Sequence, residues 1–434
     1  MFDLDGHGDA IAAIDAESDR WFTYAELAAH AKDFAANVAT PEKRLAFLYA
    51  DNSLDMLVAY HGLLESGHAV CLLDRALSPA RRSALEEIYR PSIVVEGGHT
   101  TILDGPSVEV HPDLAVLLST SGSTGSAKLV RLSKNAVRAN AEAIVESLQI
   151  TNDDRTITSL PPSYSFGLSV LNSYALAGAS LVFTKHGLVT GAFWSALSTH
   201  QCTSLSGVPF AYEALIKLRI DLRVPQSLRV MTQAGGRLAL PTAEKFHGIM
   251  TKRGGRFYVM YGQTEATARM SCLPSEDFTR KKGSCGKAIP GGAFTVENGE
   301  VVYHGPNVMM GYASAAEDLA RGDELGGTLR TGDLGVLDEE GFLTITGRIK
   351  RIVKINGTRF SLDEIEAIAK VPVVAHEDRV FLFCETEDTA PILAQVKEAL
   401  GVTGDAIQAR TVAAIPTTPN GKPDYTTLSE WAAR

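Results

Sequence analysis

The chain has 434 residues, 45% of them hydrophobic and 21% charged, with a formal net charge of −10. That length and apolar content suit two or more domains with a large buried core. The acidic balance excludes a general nucleic-acid surface, so an anionic ligand must be met by local positive features.

Cys71, Cys202, Cys272, Cys285 and Cys384 are scattered, with no C-x-x-C pair and no histidine partner at metal spacing. They read as reduced thiols of a cytoplasmic protein, not as a disulfide frame or a zinc site. The opening MFDLDGHGDA has no basic n-region and no apolar h-region, and no apolar run reaches membrane-spanning length. Neither a signal peptide nor membrane insertion is expected.

Along the chain, Thr23 with Glu26 three residues later opens a helix by a capping box, with Leu27, Phe34 and Val38 at helical spacing. RLAFLYA reads as a buried strand, LDMLVAYHGLLESG as a helix ending at Gly67, and AVCLLD as another strand. Ser78 and Pro79 start the next helix as cap and first residue, and PSIVVEG returns to a strand. The alternation continues through SLVFT, TSLSGVP, LRVMTQAGG and RFYVMYG. It predicts an α/β architecture of doubly wound sheets.

From about residue 295, short strands and turns dominate and predict a β-subdomain. Asn356–Gly357 between two strand-like runs predicts a hairpin. Ser361 with Glu364 predicts one more capping box, before SLDEIEAIAK. A boundary near Gly347–Lys350 divides a large domain, 1–347, from a small α+β domain, 348–434.

One segment fits none of these elements: LSTSGSTGSAKLVRLS, residues 118–133. It joins two strand-like runs before a helix that starts at Ser133, so a hairpin is expected. A Walker P-loop is excluded, because Gly122 and Gly125 enclose only two residues and Leu129 follows Lys128. Glycines nonetheless free successive N–H groups to face one concavity, and hydroxyls add donors, which is the chemistry of a phosphate cradle. A flexible surface linker is the plainer reading of a Ser/Gly tract; Thr120, Thr124 and Lys128 favour the cradle.

This segment resembles the Ser/Thr/Gly-rich ATP loop of the adenylate-forming enzymes: acyl-CoA ligases, adenylation domains of peptide synthetases and beetle luciferases. YGQTEAT (261–267), GPNVMMGY (305–312), RTGD (330–333), GRIKRIVKINGTRFSLDEIE (347–366) and PNGK (419–422) follow in that family's order. The resemblance runs from about residue 20 to the end, with Ala127 in place of a common proline. It implies that ATP and a carboxylic acid give an acyl-adenylate and pyrophosphate, after which the acyl group passes to a thiol.

By the same resemblance, Thr120, Ser121, Gly122, Ser123, Thr124, Gly125 and Lys128 would hold the β- and γ-phosphates. Tyr261 and Gly262 would lie against adenine, together with the close-approaching Gly235 and Gly236. Thr264 would contact the α-phosphate region, and Glu265, with Thr120, would hold Mg²⁺. Asp333 would accept the ribose hydroxyls, and Arg348 would contact the ribose or the phosphates. Lys350 occupies the hinge position of a mobile small domain. Lys422 would bridge the substrate carboxylate and the α-phosphate, and the loop at Asn356–Gly357 would serve thiol attack.

Each of these has a plainer reading: a helix-start carboxylate for Glu265, a turn aspartate for Asp333, a solvated turn for Lys422. Arg351 and Lys354 read as a solvated basic strand or as contacts to the thiol donor's phosphates. Tyr164, Phe166 and Gly167 correspond to the acyl pocket. No carboxylate stands there to pair an ammonium, which disfavours an α-amino acid and leaves a fatty, short-chain or aryl acid. The acceptor is coenzyme A or the phosphopantetheine of a carrier protein; the compact segment around KVPVVAHEDRVFLF leaves both open. A phosphotransferase, a luciferase-like oxygenase and a degenerate nucleotide-binding protein are the rival classes.

Overall fold

The structure, a computed structural model, describes residues 1–103, 108–119, 128–219, 224–355, 358–377, 379–418 and 422–433. The side chains at 350, 352, 354, 358 and 359 also lie outside the description. The contacts divide the chain into two compact units. The first holds residues 1–119, 128–294 and 303–329; the second holds 295–302 and everything from Arg330 onward.

The first unit is built on two sheets. In one, the parallel strands Leu114–Ser119, Ala69–Asp74, Leu45–Ala50 and Ile93–Glu96 lie side by side. Leu45–Ala50 is buried along its whole length, as a strand covered on both faces must be. Leu129–Ser133 returns antiparallel beside Leu114–Ser119, so the Ser/Gly-rich segment does join two strands as a hairpin. The loop residues themselves, Thr120, Ser121, Gly122, Ser123, Thr124 and Gly125, lie outside the described residues.

The other sheet has nine strands, and Ser204–Gly207, Val230–Gln233 and Arg256–Tyr261 run parallel at its heart. Helices Lys134–Leu148 and Ser165–Ala177 pack against each other. The expected caps form at Thr23, with its reciprocal bond to Glu26, at Ser78 and at Ser133. Each side chain satisfies an N–H that the first turn leaves unpaired. No helix among the described residues is long and apolar enough to cross a membrane.

The four-stranded sheet Ala293–Glu297, Glu300–His304, Thr328–Leu337 and Leu343–Arg348 is the β-rich region that begins near residue 295. Thr328–Leu337 pairs with Leu343–Arg348, and the contacts place residues 330–348 in the second unit. Compactness therefore parts the chain at Leu329–Arg330, upstream of the 347/348 boundary read from the sequence.

In the second unit, Ile352–Ile355 and Thr358–Ser361 pair antiparallel around Asn356–Gly357; those two residues lie outside the described residues. A three-stranded sheet, Val373–His376, Arg379–Cys384 and Ile407–Thr411, buries Val373, Val380 and Leu382 against helix Leu362–Ala369.

Two expectations change here. Ser361 does stand at the cap position, but its side chain makes no cap bond. Its Oγ lies where a side chain on Gly347 would sit, with an ideal Cβ there only 2.9 Å away. Arg351 is not solvated: its Nη2 meets Glu366 Oε2 at 2.5 Å, and its guanidinium lies 4.3 Å from the Tyr425 ring centroid.

Candidate active site

The strands Ser204–Gly207, Val230–Gln233 and Arg256–Tyr261 are in register, with Gly207 level with Gln233 and Gln233 level with Val259. Their carboxyl ends deliver Gly235, Gly236 and the YGQTEAT segment to one edge, the place where open α/β sheets bind ligands. Gly235 has a φ of +84°, and a Cβ there would meet the Tyr164 hydroxyl at 2.4 Å. Gly236 offers its carbonyl to Gln233 Nε2 at 2.7 Å. At Gly262 a Cβ would stand 1.7 Å from the carbonyl oxygen of Ala268, so the turn admits no side chain.

The turn after Gly262 is held from a distance. Asn307, 1% exposed, donates from Nδ2 to the carbonyls of Ala266 and Arg269, both at 2.8 Å, and accepts from the Tyr303 hydroxyl at 2.8 Å. The Thr267 hydroxyl returns a bond to the Asn307 carbonyl at 2.6 Å. Thr267 and Ala268 take φ values of +61° and +124°, a strain that such bracing must hold in place. The GPN motif is thus the clamp of the TEAT turn.

Within that turn, Thr264 and Ser165 share a hydrogen bond of 3.1 Å between hydroxyls. Ser165 opens helix Ser165–Ala177, whose cap residue, Tyr164, supplies no side-chain bond. Glu265 accepts from the Tyr312 hydroxyl at 2.8 Å, and the Lys128 ammonium sits over the Tyr312 ring, 3.3 Å from its centroid. The register explains the meeting: Tyr312 pairs with Val130 and Ala313 with Leu129, just past Lys128. Burial, and then the Glu265 charge, push the Tyr312 phenol up. Lys128, Tyr312, Glu265, Thr264 and Ser165 therefore link the end of the Ser/Gly-rich loop to the start of a helix.

Tyr164, Phe166 and Gly167 lie at that same helix start. The Tyr164 and Phe166 rings meet edge to face, 6.3 Å apart, and a Cβ on Gly167 would clash with the Pro161 carbonyl at 2.2 Å. Burial raises the Tyr164 phenol, while Arg269 acts in the opposite sense.

The second unit gathers a different set. Asp333, 4% exposed, accepts from Arg348 Nε at 3.0 Å. Lys422 is partly buried; that burial, helped by the Arg348 charge, pushes its ammonium down to about 8. The backbone of Thr418 donates to the Lys422 carbonyl at 2.7 Å. Asp333, Arg348 and Lys422 are thus brought together within one unit. The Lys350 side chain lies outside the description; its backbone falls in the short 3₁₀ turn Ile349–Arg351.

Two participants were not singled out from the sequence. Tyr312 stands inside the quoted GPNVMMGY, where its approach to Glu265 has no local signature. Arg269 interrupts the otherwise weakly polar ARMSCL, which was the available signal.

Parallel strand ends, a clamped polar turn and a small α+β unit define an α/β enzyme of the nucleotide-binding kind. The chain belongs to the AMP-binding enzyme family, whose model matches residues 3–105 and 99–313. It is 27% identical over 403 residues to the 2-succinylbenzoate–CoA ligase of Bacillus subtilis, covering 83% of this chain and 81% of that one. To the D-alanine–D-alanyl carrier protein ligase of Streptococcus pneumoniae it is 26% identical over 394 residues, covering 79% and 75%. In fold it is similar to the Bacillus subtilis o-succinylbenzoate CoA synthetase in complex with the acyl-adenylate OSB-AMP, with a TM-score of 0.80, 23% identity, and 98% and 97% of the chains covered. ATP-bound MatB from Rhodopseudomonas palustris gives the same TM-score and identity over 98% and 96%.

Proposed function

We propose that this protein is an AMP-forming acid–thiol ligase, acting in the cytoplasm on a small carboxylic acid. The observation that carries the reading is the chain of contacts from Lys128 through Tyr312 and Glu265 to the Thr264–Ser165 pair at the ends of parallel strands. The family and the relatives' acid–thiol ligase activities support it.

The first half-reaction joins two anions. A carboxylate oxygen of the acid bonds to the α-phosphorus of ATP, and the bond to the β-phosphate oxygen breaks, releasing pyrophosphate. Positive charge and positioning do the work, since little covalent chemistry falls to the protein. Lys128 neutralises the departing phosphates, and Lys422, as its ammonium, faces the carboxylate and the α-phosphate. Thr264 donates its hydroxyl there, with Ser165 fixing the rotamer. Asp333 takes the ribose hydroxyls with its two carboxylate oxygens, and Arg348 holds it in place. In the second half-reaction, a thiolate attacks the acyl carbon and AMP leaves.

Glu265 is a single hard carboxylate oxygen donor beside a phosphate site. That suits Mg²⁺, which binds through one or two carboxylates plus substrate phosphates. When bound, the ion spreads the charge of the triphosphate. Glu265, and Thr120 from the loop, would hold it; Tyr312 orients the carboxylate.

Coenzyme A is the first acceptor to offer, in keeping with the CoA ligases among the relatives. A carrier-protein phosphopantetheine is the second, in keeping with the carrier-protein ligases. The test is pyrophosphate exchange into ATP over a panel of carboxylic acids, then acyl transfer to each acceptor. Acid-dependent exchange, with AMP as the nucleotide product, is expected. Formation of ADP would point to a phosphotransferase, and oxygen uptake to an oxygenase. No exchange with any acid would leave only nucleotide binding.

A further inference from the structure

Lys128 and Glu265 carry opposite charges and approach the same side chain, yet they do not pair with each other. The Lys128 ammonium stands 3.3 Å from the centroid of the Tyr312 ring. Glu265 Oε1 accepts from the Tyr312 hydroxyl at 2.8 Å. Among the described residues neither charge stands in an ion pair. All three side chains are half-buried, where an ammonium and a carboxylate attract each other more strongly than in water.

Tyr312 gives each charge a seat of its own. The face of a phenol is negative and attracts a cation, while the hydroxyl at its edge donates to an anion. Both seats belong to one flat, stiff group, so the two charges are held near and apart.

The tyrosine is itself fixed from behind. It pairs with Val130 in the sheet. Fully buried Arg131 donates from Nε to the Tyr312 carbonyl at 3.3 Å, and from Nη2 to Glu324 Oε2 at 2.7 Å. Gly311, just before the tyrosine, has a φ of +134°, and a Cβ there would meet Glu324 Oε2 at 2.1 Å. On the carboxylate side, the Met309 N–H bonds to the Glu265 carbonyl at 2.9 Å. The ring therefore stays in place while its two guests remain free to leave it. A direct Lys128–Glu265 bridge would neutralise both charges, and a triphosphate or a divalent ion would have to break it.

We propose that Tyr312 is a positioning residue that keeps Lys128 and Glu265 from pairing. It seats the ammonium on its ring and the carboxylate on its hydroxyl, so that the phosphates of ATP and their Mg²⁺ each meet an uncommitted partner. The inference rests on the ligase reading for the assignment of Lys128 to phosphate and of Glu265 to Mg²⁺.

ATP binding by calorimetry, with and without Mg²⁺ and with no acid present, reads each seat separately. Tyr312→Phe keeps the ring and loses the hydroxyl. Its affinity for metal-free ATP should match the wild type, while the gain that Mg²⁺ brings should shrink about 10-fold. Tyr312→Leu removes both seats and lets the charges pair. Metal-free ATP should then bind about 2- to 5-fold more weakly. Adding Glu265→Gln frees the lysine, and should restore that factor over and above what Glu265→Gln does in the protein that keeps Tyr312. A tyrosine that only supports the fold predicts no such restoration.

Metal-free ATP binding unchanged in Tyr312→Leu overturns the proposal, and so does a loss there that Glu265→Gln does not restore. If Tyr312→Leu does not fold, Tyr312→Phe decides alone, and an unchanged response to Mg²⁺ overturns the proposal. The expected binding pattern in a protein that activates no acid ends the ligase reading and leaves the Tyr312 assignment standing. Failure of the wild-type protein to bind ATP overturns both.

Discussion

At the scale of single residues, Lys422 tests the chemistry most directly. Its partial burial and the Arg348 charge hold its folded pKa near 8, against the ordinary 10.5. A base with a depressed folded pKa disfavours folding while it must stay charged, below about pH 8. That cost fades as pH rises from about 8 toward 10.5, where the lysine of the unfolded chain also loses its proton. Stability of the wild type relative to Lys422→Met should therefore rise over that window, measurable by denaturant titration at fixed pH steps. Catalysis runs the other way, because only the ammonium offsets the two anions. The kcat/KM for pyrophosphate exchange, which reports groups of the free enzyme, should fall above about pH 8. Lys422→Arg should remove that limb by keeping its charge. Lys422→Ala should lose exchange by about 100-fold or more while still passing the acyl group from a preformed acyl-adenylate to the thiol. Near-normal exchange in the alanine variant would remove Lys422 from the mechanism.

At the scale of elements, the turn from Tyr261 to Ala268 shows what a sequence reveals and what it withholds. The strand before it, the hairpin behind Lys128 and the caps at Thr23, Ser78 and Ser133 were all legible, because each is set by residues within a few positions of one another. The clamp was not. Asn307 reaches Ala266 and Arg269 across some forty positions, and Tyr312 reaches Glu265 across a similar span. The Gly311–Ala313 strand pairs with Leu129–Ser133, which sets Tyr312 beside Lys128, and the Met309 N–H bonded to the Glu265 carbonyl at 2.9 Å holds the same segment against the turn. Ser361 stands at the cap position without capping: its Oγ lies beside Gly347, buried and without a hydrogen-bond partner among the described residues, which the local spacing did not reveal. The turn's demand on Gly262 gives a prediction. With the Ala268 carbonyl 1.7 Å from an ideal Cβ, Gly262→Ala must move backbone, at a cost of about 3 kcal/mol. It should lower the thermal transition and abolish ATP binding measured by calorimetry. Gly187→Ala, where nothing lies within 4 Å of the new carbon, should leave both unchanged.

At the scale of the whole molecule, the residues proposed for ATP fall in both compact units of the chain. Lys128, Thr264 and Glu265 belong to the first, and Asp333, Arg348 and Lys422 to the second. Within the second unit, a further division falls at Lys350. Asp333 and Arg348 lie on the paired strands that end at Arg348, whereas Lys422 comes after the 3₁₀ turn Ile349–Arg351. A swing about Lys350 would carry Lys422 and the Asn356–Gly357 loop while leaving the Asp333–Arg348 pair in place. A swing about Leu329–Arg330 would carry all of them together. The two differ in what a stiffened Lys350 does. Proline there fixes φ near −65° and disfavours helical geometry at Ile349. If Lys350 is the hinge, Lys350→Pro traps one arrangement. Pyrophosphate exchange should then persist while transfer from a supplied acyl-adenylate to the thiol falls on the order of 100-fold, the cost of misplaced reacting groups. The reverse loss would show the other arrangement trapped, with Lys350 still the pivot. Both half-reactions at wild-type rates in a folded Lys350→Pro protein would move the pivot to Leu329–Arg330, where the compact units part.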